Sequence, residues 1–207
     1  MQIVSIDFNR TIIYGEVMRH KDEKKSEAIF EATIKLLNEI GFSDISMSKI
    51  AKVANVSSAT IYVYFENKED MLAKLYVKVK EKMSQQMSRG LDESLSSQQL
   101  CEQLMRNSLD FIMNNKDYFL LLEQYQHSPY VERLCLDDTS SMFVGLYELF
   151  EKGKQKGELK ALNTMLLLSY CYLPVTHFAK TVFKGQLEGS EENFQQIIRM
   201  SWDAVRG

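Results

Sequence analysis

Between Ser57 and Lys68 the chain sets out a run of hydroxyls, on Ser57, Ser58, Thr60, Tyr62 and Tyr64, and closes it with an ammonium at Lys68. Groups of this kind donate hydrogen bonds to phosphate oxygens; they contain no general base beside a nucleophile, so their chemistry is recognition rather than turnover. Ser57 and Ser58 can each cap a helix, and in that helix Ile61 and Phe65 form an i,i+4 pair that faces inward. The opposite faces carry Ser58, Ala59, Thr60, Tyr62 and Tyr64. These side chains are small or hydroxyl-bearing, and none is long enough to hold a polynucleotide backbone away, which suits a helix that enters a major groove.

Such a helix needs elements to aim it. Ser46 is a candidate N-cap for a preceding short helix, in which Ile50, Val53 and Ala54 recur at helical spacing. Asn55 then ends it, since Asn tolerates the left-handed backbone of a sharp turn, and Val56 pins that turn to a core. On the far side Asn67 caps a third helix that Lys68 opens. Its N–H groups and partial positive charge, together with that lysine, make a phosphate clamp.

Ile50, Ala51, Ala54, Val56, Ser57, Ile61, Tyr62, Tyr64, Phe65, Lys68, Glu69 and Leu72 stand in the register of a known segment. The run resembles the DNA-binding segment of the TetR/AcrR family of transcriptional regulators. Asn55 departs from the family's usual Gly while keeping access to the same backbone conformation. The helix before this segment is marked from Glu23 by Ile29, Thr33, Leu36, Leu37 and Ile40, and Gly41 closes it. The resemblance places Phe42 and Ile45 in a small three-helix core and the start of that helix, with Lys24 and Lys25, near phosphates.

Net charge is −3, unevenly spread: residues 1–82 hold thirteen Lys/Arg against twelve Asp/Glu, and residues 83–207 hold twelve against sixteen. Bulk charge therefore gives a DNA binder little help, and the helix-turn-helix pattern must carry that reading. Cys101, Cys135 and Cys171 are widely separated with no C-x-x-C pair, which fits reduced, buried thiols. His127, His177 and Cys171 lack metal-ligand spacing, so no metal and no cofactor is expected. Asp137-Asp138 reads as a solvated helix face. The chain holds no nucleophile elbow, phosphate loop or H-E-x-x-H motif, so no enzyme activity is expected. Met165–Pro174, the most apolar run, is too short to span a membrane.

Few prolines and no sustained alternation predict an all-α fold. The expected organisation is an N-terminal extension at residues 1–22, a helix-turn-helix DNA-binding domain at 23–67, and a connector helix plus ligand-binding and dimerisation domain at 68–207. Residues 1–17 show no helical pattern; they are read either as disordered or as the product of an upstream start, with Met18 as the alternative first residue. The connector runs from Lys68 to Met83 and fades near Ser88–Gly90. Further helices are expected from Leu100 to Asn114–Asn115, over Lys116–Gln126, from Pro129 to Lys156 with Gly157 as its stop, over Leu162–Lys184 and over Glu191–Val205. The segment Gly153–Leu159 resembles a family landmark that precedes the last helix pair. Because Leu162–Lys184 is apolar around most of its circumference it needs burial on two sides, and a two-fold partner supplies the second. The resemblance implies the same homodimer, through a four-helix bundle of the helices near 162–184 and 191–205.

Aromatic and methionine side chains crowd the second part, which suits a pocket for a flat or apolar small molecule; Phe119, Tyr125, Phe143, Tyr147, Tyr170 and His177 are the expected lining. Altogether the sequence predicts a cytoplasmic, homodimeric, ligand-responsive regulator, of repressor type, on a near-palindromic double-stranded DNA operator. Its expected DNA-contacting set is Ser46, Ser57, Ser58, Ala59, Thr60, Tyr62, Tyr64 and Lys68, with Ser58 and Ala59 toward bases and the others toward phosphates. The alternative is an all-helical partner-binding protein whose helix-turn-helix is only a folding unit.

Overall fold

The computed structural model describes residues 8–126, 139 and 141–207. His127, Pro129, Tyr130, Cys135 and Asp137-Asp138 lie outside that set, and with them the expected start of the helix that ends before Gly157. Among the described residues the chain is helical without strands, as its patterning predicts. It forms two compact units, Met1–Leu75 and Tyr76–Gly207.

The first unit begins with α1, Phe8–Asp44, which starts well before the expected Glu23. Gly15 is the only helix breaker between Phe8 and Glu23, and one glycine costs about 1 kcal/mol, too little to end a helix. Gly41 does interrupt the regular helix, at φ 73° and ψ 178°, a conformation open essentially to glycine alone. α2 (Met47–Val53) and α3 (Ser58–Tyr64) follow, then α4 (Lys68–Met87). Ile29, Leu37, Ile50, Ile61 and Met71 are fully buried, each stabilising the unit by about 1.5–3 kcal/mol. The first unit extends past the expected boundary at residue 67 because Met71, Leu72 and Leu75 belong to its core. The Thr33 hydroxyl lies 3.7 Å from the Met71 sulfur. Val53, expected inward, is instead exposed, since the short α2 turns only Met47, Ile50 and Ala51 to the core.

The second unit holds the rest of α4, then α5 (Ser97–Asn114), α6 (Lys116–Gln126), a 3-10 turn at Ser141–Phe143, α7 (Val144–Gln155), α8 (Thr164–Phe183) and α9 (Glu191–Val205). Ser96 and Gln99 close a capping box at the start of α5, satisfying two backbone donors reciprocally. α5 packs on α8 and α9, which also pack on each other, with the Phe178 and Phe194 rings stacked at 5.5 Å. The Gly153–Leu159 landmark has a steric cause at its first residue. A Cβ on Gly153 would stand 2.5 Å from the Ser97 hydroxyl and 2.8 Å from Leu159, so only glycine lets α7 approach the start of α5 this closely. Among the described residues no helix is long and apolar enough to cross a membrane.

Candidate nucleic-acid interface

Three local devices fix α3. The first is the turn after α2, where Asn55 takes φ 54°, Asn55 N–H donates to Lys52 O at 3.3 Å and Val56 N–H donates to Ala51 O at 3.0 Å. This paired pattern is a Schellman motif with Asn in the left-handed position, so the departure from Gly leaves the turn intact. The second device is capping. The Ser46 hydroxyl accepts from Lys49 N–H at 3.3 Å, and the Ser57 hydroxyl accepts from Thr60 N–H at 3.1 Å. Of the two candidate serines, Ser57 is the cap and Ser58 the first helical residue. The third device is the inner face of the helix, where Ile61 and Phe65 are buried and the Phe65 ring meets Phe30 edge-on at 5.4 Å.

With its inner face held, α3 presents an outer face of Ser58, Ala59, Tyr62 and Val63, all exposed. Tyr62 is 57% exposed and Val63 79%. Thr60 and Tyr64 are half-buried, and the Thr60 and Ser57 hydroxyls share a 2.8 Å hydrogen bond. α4 opens beside them with reciprocal capping: Asn67 accepts from Asp70 N–H at 2.8 Å, and Asp70 accepts from Glu66 N–H at 3.0 Å. Burial pushes the Asp70 carboxyl up, but the bonds from Lys74 and the Glu66 N–H outweigh it and hold it below the usual carboxylate range. Lys68 does not stand free at this end. Its ammonium donates to the Phe42 carbonyl at 2.7 Å, just past the Gly41 break, and keeps two further protons for a phosphate.

The six residues expected to line a pocket do not converge. Phe119 and Tyr125 are buried in the second unit, and Phe143 is half-buried beneath Lys80. Tyr147, Tyr170 and His177 are exposed instead. Tyr170 and His177 fall on the outer stripe of α8 with Met165, Leu166 and Leu173, while Tyr147 lies one residue, about 100° of helix, away from the buried Leu146. A cavity of about 360 Å³ beside the turn after α4 is lined by Leu91, Met142, Leu146, Leu149, Glu148 and Lys152 among others, and by none of those six. Around Tyr125 the structure gathers groups that the sequence did not single out. The Tyr76 ring lies 5.1 Å from that of Tyr125, its hydroxyl bonds to Thr139, and Lys80 follows one turn along α4.

Comparison with known proteins settles the family. Residues 29–75 match the model described as bacterial regulatory proteins of the tetR family, and residues 96–206 match the tetracyclin repressor-like C-terminal domain. The chain belongs to the TetR family. It is therefore a transcriptional regulator with a DNA-binding helix-turn-helix, and its relatives are regulators rather than enzymes. An uncharacterised HTH-type transcriptional regulator of Haemophilus influenzae is 27% identical over 190 residues, covering 91% of this chain and all of that protein. The fatty acid metabolism regulator protein of Bacillus subtilis is 26% identical over 148 residues, 69% of this chain and 74% of its own. Among solved structures, a TetR family regulator from Marinobacter aquaeolei VT8 superposes with a TM-score of 0.78 at 29% identity, covering 91% of this chain and 98% of that one.

For a TetR-family protein the sequence reading missed three groups of interest. Val63 is an exposed apolar residue on α3, and its spacing of four from Ala59 was the available signal. Lys80 and Tyr76 share a face of α4, yet a lysine on a connector helix reads from sequence as solvated charge. Tyr172 on α8 sits close enough to Glu123 and Tyr76 that burial and then those neighbours push its hydroxyl above the ordinary tyrosine value.

Proposed function

We propose that this chain is a homodimeric, effector-responsive repressor that places α3 of each protomer in successive major grooves of a near-palindromic operator. The observation that carries the reading is the outer face of α3. Ser58, Ala59, Tyr62 and Val63 are exposed on a helix held at its start by the Schellman turn and the Ser57 cap, so its aim is set before DNA arrives. Half-sites would lie about one helical turn, or roughly 34–36 Å, apart. Ser58 and Ala59 face base edges, while Ser46, Ser57, Thr60, Tyr62, Tyr64 and Lys68 hold the backbone. Their short reach leaves DNA shape a share of the specificity.

Support for the dimer comes from α8, whose outer stripe leaves Met165 64% and Leu173 59% exposed with Leu166 and Tyr170 between them. Apolar exposure in a continuous row calls for a covering partner, and a second copy presents the same row. The effector is an apolar or aromatic small molecule held in the second unit. The fatty acid metabolism regulator among the relatives supports an apolar class. Release follows if the effector binds more tightly to a state in which α4 carries α3 out of register with the groove.

The test is fluorescence anisotropy on a duplex from the DNA upstream of the chain's own gene, with a duplex selected from a random pool alongside it, each at two salt concentrations. The expected result is saturable, selective binding that weakens as salt rises, and a loss of about tenfold or more in Tyr62→Ala with the dimer and the melting temperature unchanged. Absence of any selected sequence would overturn the reading.

A further inference from the structure

The second unit holds a lysine that no carboxylate answers among the described residues. Lys80 lies on α4 one turn beyond Tyr76, partly buried, with its ammonium 5.1 Å from the Phe143 ring centroid. Among the described residues no acidic group pairs with it. Three other lysines of the unit differ, since Lys152 pairs with Glu93, Lys154 with Glu151 and Lys180 with Glu123. Burial holds the Lys80 ammonium below the ordinary lysine value, with no opposing charge among the described residues. The ring of Phe143 offsets part of that desolvation through a cation–π contact but does not replace an anion.

The surroundings say what kind of anion would fit. The Tyr76 and Tyr125 rings meet at 5.1 Å, tilted by 50°, beside this helix face, and burial pushes the hydroxyls of Tyr76 and Tyr172 further above the ordinary tyrosine value, so they are neutral hydrogen-bonding groups. Glu123, whose charge acts on Tyr172, is already held by Lys180. A single positive charge among aromatic walls matches a single negative charge on an apolar body better than it matches a phosphate dianion. The geometry points to Lys80 as the anchor for the acid group of the effector, a hydrophobic carboxylate whose apolar part lies among Tyr76, Tyr125 and Phe143. This rests on the reading of the second unit as an effector-binding domain.

The experiment is calorimetric titration of the full chain with sodium octanoate and, in parallel, with 1-octanol. Wild type is compared with Lys80→Met, which keeps length and removes charge, and with Lys80→Arg, which keeps charge. Octanoate is expected to bind at least tenfold more tightly than octanol, to lose that advantage in Lys80→Met and to retain most of it in Lys80→Arg. Should Lys80→Met fail to fold, the octanoate-to-octanol ratio in wild type and Lys80→Arg decides. Equal affinity for acid and alcohol, or octanoate binding unchanged in Lys80→Met, would overturn the assignment, as would no binding of octanoate at all. Uptake of the uncharged dye Nile red on the same samples separates the two levels. Saturable uptake without an acid preference leaves the effector-binding reading standing and removes only Lys80, whereas no uptake and no octanoate binding removes both.

Discussion

Among the described helices, α3 and α8 each leave a face uncovered, and the two faces are chemically unlike. α3 shows Ser58, Ala59 and Tyr62, small groups and hydroxyls, with Val63 the only purely aliphatic side chain beyond a methyl. α8 shows Met165, Leu166, Tyr170 and Leu173, long and almost wholly apolar. An exposed face of the first kind costs little in water and can wait for a polar partner. One of the second kind costs about 25 cal/mol for each Å² left wet, so it favours a partner at all times. The contrast suggests a transient occupant for α3 and a standing one for α8.

The largest effect expected from this contrast is on assembly. Leu166→Glu combined with Leu173→Glu would place a carboxylate at two points of the α8 stripe, and desolvating those charges should raise the dimer dissociation constant by more than about 100-fold. Sedimentation equilibrium reads this directly, and a dimer that survives would mean the stripe has another use. Next in size is the inner face of α3. Ile61→Ala should cost the first unit about 2–5 kcal/mol in urea denaturation, because a fully buried side chain is lost. The neighbouring Tyr62→Ala should change stability by less than about 0.5 kcal/mol; equal losses would show that the two faces are not distinct. The smallest effect concerns Ser201 on α9, whose buried hydroxyl has no hydrogen-bond partner among the described residues. Ser201→Ala should leave stability unchanged or raise it by up to about 1 kcal/mol, while a clear loss would reveal an acceptor in solution.

Much of the first unit was legible because its signals are local. Ser46, Ser57 and Asn67 cap as their types predict, Asn55 takes the left-handed conformation, and Gly41 and Gly157 mark breaks. The bounds of α6 and α9 likewise follow from hydrophobic period and flanking residues. What failed depends on contacts distant in sequence. Val53 lies on an apolar period but on a helix too short to turn it inward. Tyr147, Tyr170 and His177 share helices with buried residues, and periodicity alone does not say which aromatic faces a cavity. Lys80 was invisible for the converse reason: its type says surface, and only the packing of Phe143 against it says otherwise. The start of α1 was missed because weak composition was taken for absence of helix, although nothing there stops one.

The bond from Lys68 to the Phe42 carbonyl bears on how this regulator could be re-engineered. A designer wishing to move its reading head onto another scaffold would cut at Ser46 and Leu72, where the recognisable pattern ends. That graft would leave the lysine without its carbonyl and free to swing on a four-carbon stem, so it would have to be ordered anew each time a phosphate bound. The portable module is therefore longer than its motif: it must bring along Gly41 and Phe42, the break in α1 that turns the Phe42 carbonyl toward the lysine.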